Sequence, residues 1–122
     1  MSRAWLWLVV PGAGAVGALC RWLLVRGVVA MGCEGRWGTL LVNGVGSLLA
    51  GLLCGWLRGA SPVVAGALFL GFLGALTTFS TFSLESAQLV MQGAVGRAVM
   101  NVVLQNGVGL GAALLGVWLS RA

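Results

Sequence analysis

A chain of 122 residues that is 60% hydrophobic and only 7% charged, with a mean hydropathy of +1.06, is excluded as a soluble domain, whose exterior draws on about a quarter charged residues. It reads as one small all-α integral membrane domain. The net charge of +5 comes from seven Arg against two Glu, with no Lys and no His, which removes His-based acid–base chemistry and most metal chemistry; scattered between apolar spans, those arginines build no basic face for nucleic acid.

The first span is expected over residues 4–25, with Trp5 and Trp7 near its start. Arg3, an apolar run and the small stretch Gly12–Ala15 imitate a leader peptide, but apolar sequence continues past Pro11 and no soluble mature domain follows. Arg21 and Arg26 fall toward the far end, where a guanidinium ordinarily snorkels to headgroups; the deeper Arg21 could equally present positive charge at a pore entrance. Cys20, Cys33 and Cys54 fall in no ligand spacing and read as packing residues.

The second span is expected over residues 37–57. Trp37 and Trp56 stand about 28 Å apart at about 1.5 Å per residue, close to the hydrocarbon thickness, and form interfacial belts. Between them Thr39, Asn43, Ser47, Gly51 and Gly55 recur every four residues and share one face. Gly51 and Gly55 predict close helix packing. Asn43 demands more, because its amide needs partners for two donors and an acceptor.

The third span, residues 62–92, opens on Pro62 and is too long for one crossing of about 20 residues. Its stretch from Gly71 to Ser86, GFLGALTTFSTFSLES, holds three Ser, three Thr and a Glu, and all four phenylalanines lie in or just before it. Lipid cannot solvate that cluster. A helix break near residues 74–80 is therefore expected, lining a polar cavity or an ion site. Beyond it Thr81, Glu85, Gln88 and Gln92 form one polar stripe, while the half before it can face lipid. The fourth span, residues 98–119, carries a Gly107/Gly111 pair read as a second packing motif. Its amides Asn101, Gln105 and Asn106 read as interhelical hydrogen-bonding groups.

Four spans place Arg3, Arg58 and Arg121 on one side and Arg26, Arg36 and Arg97 on the other. The positive-inside rule then has nothing to act on. Such a chain can insert both ways round, and four short spans are few to enclose a polar path, so an antiparallel homodimer is expected.

Together these segments resemble the small fluoride-channel family, called Fluc or CrcB. The resemblance runs through Gly17-Ala18-Leu19-Cys20-Arg21-Trp22, Gly38-Thr39-Leu40-Leu41-Val42-Asn43 with Gly46-Ser47, and Gly71-Phe72-Leu73-Gly74 with Thr77-Thr78-Phe79-Ser80-Thr81-Phe82-Ser83-Leu84-Glu85. It implies a dual-topology homodimer in the inner membrane that exports fluoride passively through two pathways and confers fluoride resistance. The implied path is lined by Asn43, Phe79 and Phe82, continued by Ser80, Thr81 and Thr39, with Arg21 and Glu85 matching the family's arginine and acid. A structural Na+ at the dimer centre is implied on backbone carbonyls, here those of Gly74 and Thr77. Ala75, Leu73 and Trp22 depart from residues common in the family, at packing positions.

A small proton-coupled multidrug exporter is the main alternative, with Glu85 as coupling acid. That family's essential acid lies in its first span, where this chain has none. An assembly subunit, whose polar groups serve only interhelical bonds, is a further alternative; an enzyme is not expected.

Overall fold

A computed structural model describes residues 3–121; the Arg3 side chain, expected at one membrane face, lies outside the described residues. After a 3-10 turn (Arg3–Trp5), α1 runs over Leu6–Ala30 and α2 over Gly35–Trp56. The third span is composite. It begins α-helical over Pro62–Ala65, where Ser61 Oγ accepts from the Val64 N–H at 3.4 Å, widens into a π-helix over Gly66–Leu73, and tightens again over Gly74–Leu76. This stretch is α3 (62–76). Thr77 (φ −86°, ψ 158°) and Thr78 (φ −150°, ψ 119°) are extended, and α4 resumes over Phe79–Met91. α5 spans Val95–Leu119. Among the described residues four helices are long and apolar enough to cross a membrane, counting Pro62–Met91 as one bent span.

Some boundaries differ from expectation. α1 runs past Val25 to Ala30, so Arg21 and Arg26 lie within the helix rather than at its end. α5 begins at Val95, placing Arg97 in its first turn. The break is narrower than residues 74–80, because Gly74–Leu76 stay helical and only two threonines leave the helix.

Helices in lipid gain little from burying apolar surface on each other, so their contacts depend on close backbone approach. α2 meets α5 at Gly51 and Gly116: a Cβ on Gly116 would strike the Leu48 carbonyl and sit 2.8 Å from the Leu52 nitrogen. α1 meets α3 in the same way at Gly17, where a Cβ would strike the Phe72 carbonyl, and at Gly71, where a Cβ would sit 2.6 Å from the Val10 carbonyl oxygen. One side of α3 is therefore occupied by α1, and only the other, with Val64 and Leu70, is left for lipid.

Within the single chain Gly107 and Gly111 make no close approach, since a Cβ at either would meet nothing within 4 Å. Asn101, Gln105 and Gly116 are buried and share a face of α5; at 100° per residue Gly107 and Gly111 point the opposite way. The buried amides set the rotation of the helix, and the glycines follow.

Candidate functional site

The break puts unpaired backbone groups in the middle of a span, where each would cost several kcal/mol if left alone. Asn43 on α2 supplies the partners. Its Oδ1 accepts from the Thr78 N–H at 2.8 Å, and its Nδ2 donates to the Thr78 carbonyl at 3.0 Å. Nδ2 also donates to Gln105 Oε1 on α5 at 3.0 Å, so both amide hydrogens are committed. Thr78 in turn caps α4: its Oγ1 accepts from the Thr81 N–H at 3.3 Å and donates to Thr81 Oγ1 at 2.9 Å. Gly46, one turn along α2, faces the Thr77 methyl, so a larger residue there would push the break away from α2.

A cavity of about 230 Å³ opens at this clamp, lined among others by Asn43, Ser47, Phe79, Phe82, Gln105 and Asn106. None of its lining side chains is charged. The rings of Phe79 and Phe82 meet edge to face, with centroids 5.0 Å apart and planes at 78°. Gln105 is 6% exposed, and its Nε2 is buried with no hydrogen-bond partner. Its two N–H groups are therefore donors without a partner, on a residue that lines a neutral cavity together with two aromatic rings whose edges carry partial positive charge. Sequence reasoning grouped Gln105 with Asn101 and Asn106 as helix–helix glue. Asn101 fits that description, donating to Ser86 Oγ at 3.0 Å while Ser86 donates to the Phe82 carbonyl at 2.9 Å. Asn106 is exposed and donates to the Val102 carbonyl of its own helix at 2.8 Å. The signal for Gln105 was its place on the inward face, one turn from Asn101.

The other site residues named from the sequence fall around this centre. Thr39, 1% exposed and one turn from Asn43, donates to Glu85 Oε1 at 2.6 Å, whereas Glu85 Oε2 is buried without a partner. Ser80 and Thr81 are exposed on the outer side of α4, and Phe79 is 75% exposed. Arg21 reaches across from α1, its Nη1 donating to the Thr77 carbonyl at 3.4 Å.

The break also ends α3. The chain leaves the helix at Thr77, so the carbonyls of its final turn lose their usual helical donors and form the negative end of a helix dipole. Gly74 belongs to this turn and is exposed, and Thr77 follows it as the first extended residue. Carbonyl oxygens of this kind suit a hard monovalent cation in donor type, and the Arg21 guanidinium already draws on one of them.

Comparison with known proteins gives the family. Residues 8–117 match the family model described as CrcB-like protein, Camphor Resistance (CrcB). The chain is similar to fluoride-specific ion channel FluC 1 of Symbiobacterium thermophilum, 44% identical over 91% of this chain and 94% of the relative. It is likewise similar to fluoride-specific ion channel FluC of Beijerinckia indica, 44% identical over 94% of each chain. A third relative, fluoride-specific ion channel FluC 1 of Streptomyces avermitilis, is 40% identical over 95% of this chain and 96% of its own. With the match covering all four spans and the broken third helix, this multi-pass membrane protein belongs to the CrcB family.

Proposed function

We propose that the protein is a passive, selective channel through which fluoride leaves the cytoplasm down its electrochemical gradient. The observation that carries this reading is the uncharged cavity at the helix break, lined by Gln105, whose Nε2 has no partner, and by the rings of Phe79 and Phe82. The names of the relatives, similar along nearly the whole chain, support fluoride as the ion.

The chemistry suits a small, strongly hydrated anion. Its shed water must be replaced by many hydrogen-bond donors, and none may hold it so tightly that it cannot leave. Gln105 offers N–H groups, Ser80 and Thr81 hydroxyls, and Phe79 and Phe82 ring edges. A fixed arginine in their place would bind too firmly. Asn43 keeps this set in position by holding the break, and it can donate to an anion only when one of its bonds to Thr78 or Gln105 opens.

We further read the working unit as an antiparallel homodimer. Ser80, Thr81 and Gly74 are polar groups exposed at the break of a membrane span, which lipid does not solvate, and a second copy would cover them. The near balance of arginines at the two ends supports insertion both ways round. In such a dimer the Gly74 and Thr77 carbonyls of both copies would hold a central Na+; one chain's pair leaves a cation's shell open. When bound, that ion would supply fixed positive charge next to the anion path.

The test is efflux from liposomes loaded with potassium fluoride, started with valinomycin and followed with a fluoride electrode beside a chloride-loaded control. Fast fluoride efflux without chloride efflux is expected. No efflux from a verified folded protein would sink the channel reading. A tag-accessibility assay that found every C-terminus on one side would sink the antiparallel arrangement.

A further inference from the structure

We infer that the polar cavity between the two turns 31–34 and 92–94 is an anion-capture vestibule, and that Glu34 acts in it as a tethered competitor for its two arginines. The inference rests on the channel reading and extends it to the mouth of the pathway.

The cavity measures about 430 Å³ and is lined by Glu34, Arg36, Glu85, Gln88, Gln92 and Arg97, among others. Gly32 (φ +84°) and Gly93 (φ +76°) end α1 and α4 in left-handed conformations that favour glycine, and so turn the chain back at this end. The result brings residues far apart in sequence together. Arg97 Nη2 lies 2.6 Å from Glu34 Oε1, and Arg36 Nε lies 3.0 Å from Glu34 Oε2. The latter contact is off the hydrogen-bond direction, leaving a buried donor unsatisfied. Arg36 is also pinned over the Trp37 ring at 5.2 Å, with its side chain 11% exposed. One carboxylate thus occupies two guanidiniums, in the place a small anion would take.

The electrostatics favour an anion. The lining carries two arginines and two glutamates, so its formal charges balance; both arginines face Glu34, while Glu85 is tied to Thr39. α2 and α5 both begin at this cavity, with Glu34 as the N-cap residue of α2, so two positive helix ends tip that balance toward an anion. Glu85 forms the inner wall, tied to Thr39. Thr39 is one turn from Asn43, and Glu85 one turn from Phe82, so the polar face continues from this mouth to the break. An incoming anion competes with the Glu34 carboxylate for Arg36 and Arg97, and the exposed Gln88 and Gln92 amides offer further donors. A clasp that merely joins two turns would have the same contacts, but losing either partner would weaken it alike, so it would not respond to the sign of the charge removed.

The experiment measures initial fluoride flux against fluoride concentration for wild type, Glu34→Gln, Arg97→Gln and Arg97→Lys in liposomes. Ionic strength is set with an impermeant salt. One unit charge about 7 Å away in water changes local anion concentration about twofold at about 0.01 M salt, and about 1.5-fold at about 0.15 M. Glu34→Gln is therefore expected to lower the half-saturating fluoride concentration about twofold at low salt. Arg97→Gln should raise it about twofold, Arg97→Lys should restore it, and both shifts should shrink at the higher salt. If Glu34→Gln and Arg97→Gln move flux in the same direction, or neither moves it while wild type conducts, the vestibule is overturned and the channel reading stands. A silent wild type overturns both.

Discussion

Asn43→Asp is nearly isosteric, yet it replaces a double donor with an acceptor at the centre of the site. Asn43 Nδ2 lies 3.0 Å from both the Thr78 carbonyl and Gln105 Oε1. The aspartate oxygen would face both acceptors with no proton between them. Leaving each without its donor costs about 1–3 kcal/mol, or about 2–6 kcal/mol together. A carboxylate at the cavity wall also repels an anion about 5 Å away by about 3 kcal/mol at an effective dielectric constant of about 20, which is about 200-fold in occupancy. Asn43→Ala removes the same donors without adding charge. Both variants should unfold at lower temperature in detergent, and Asn43→Asp should also lose at least about a hundredfold in valinomycin-driven fluoride efflux. Full flux in Asn43→Asp would refute the placement of this residue on the path. Equal flux in both variants would refute the electrostatic part and leave only the clamp.

Phe79→Ile should cut fluoride flux with little change in stability, because its ring is 75% exposed in the single chain; Phe82→Ile, at 8% exposed, should cost about 1–2 kcal/mol as well. Unchanged flux in both would contradict the aromatic role. Gln105→Leu keeps the approximate volume but removes the free Nε2 donors and the acceptor for Asn43, and should reduce flux at least about tenfold; wild-type flux would show that the free amide is idle. Gly116→Ala forces a methyl against the Leu48 backbone and should lower stability by about 1–3 kcal/mol, read by thermal unfolding in detergent. An unchanged midpoint would mean that the α2–α5 approach is looser than described.

Much of this protein follows from its sequence without reference to tertiary contacts. Apolar runs of crossing length require membrane helices, since only internally hydrogen-bonded segments survive in hydrocarbon. Hydroxyls, a glutamate and phenylalanines inside one run require a break facing something polar. Gly51 is legible too, because small residues at helical spacing are how bilayer helices approach. Three things were decided only by the folded chain. Gly107 and Gly111 carry the same local motif as Gly51 and Gly55, but the rotation of α5 is fixed by its buried amides and turns those two away. Asn43 reads from sequence as an amide in need of partners, but only the fold shows that the Thr78 carbonyl and Gln105 Oε1 take up its two hydrogens and leave Gln105 Nε2 as the donor without a partner. Glu34 and Arg97, distant in sequence and not paired there, meet because two glycine-ended turns fold back at the same end. Local sequence fixes which groups cannot face lipid; their partners depend on helix rotation and chain return, which are properties of the whole bundle.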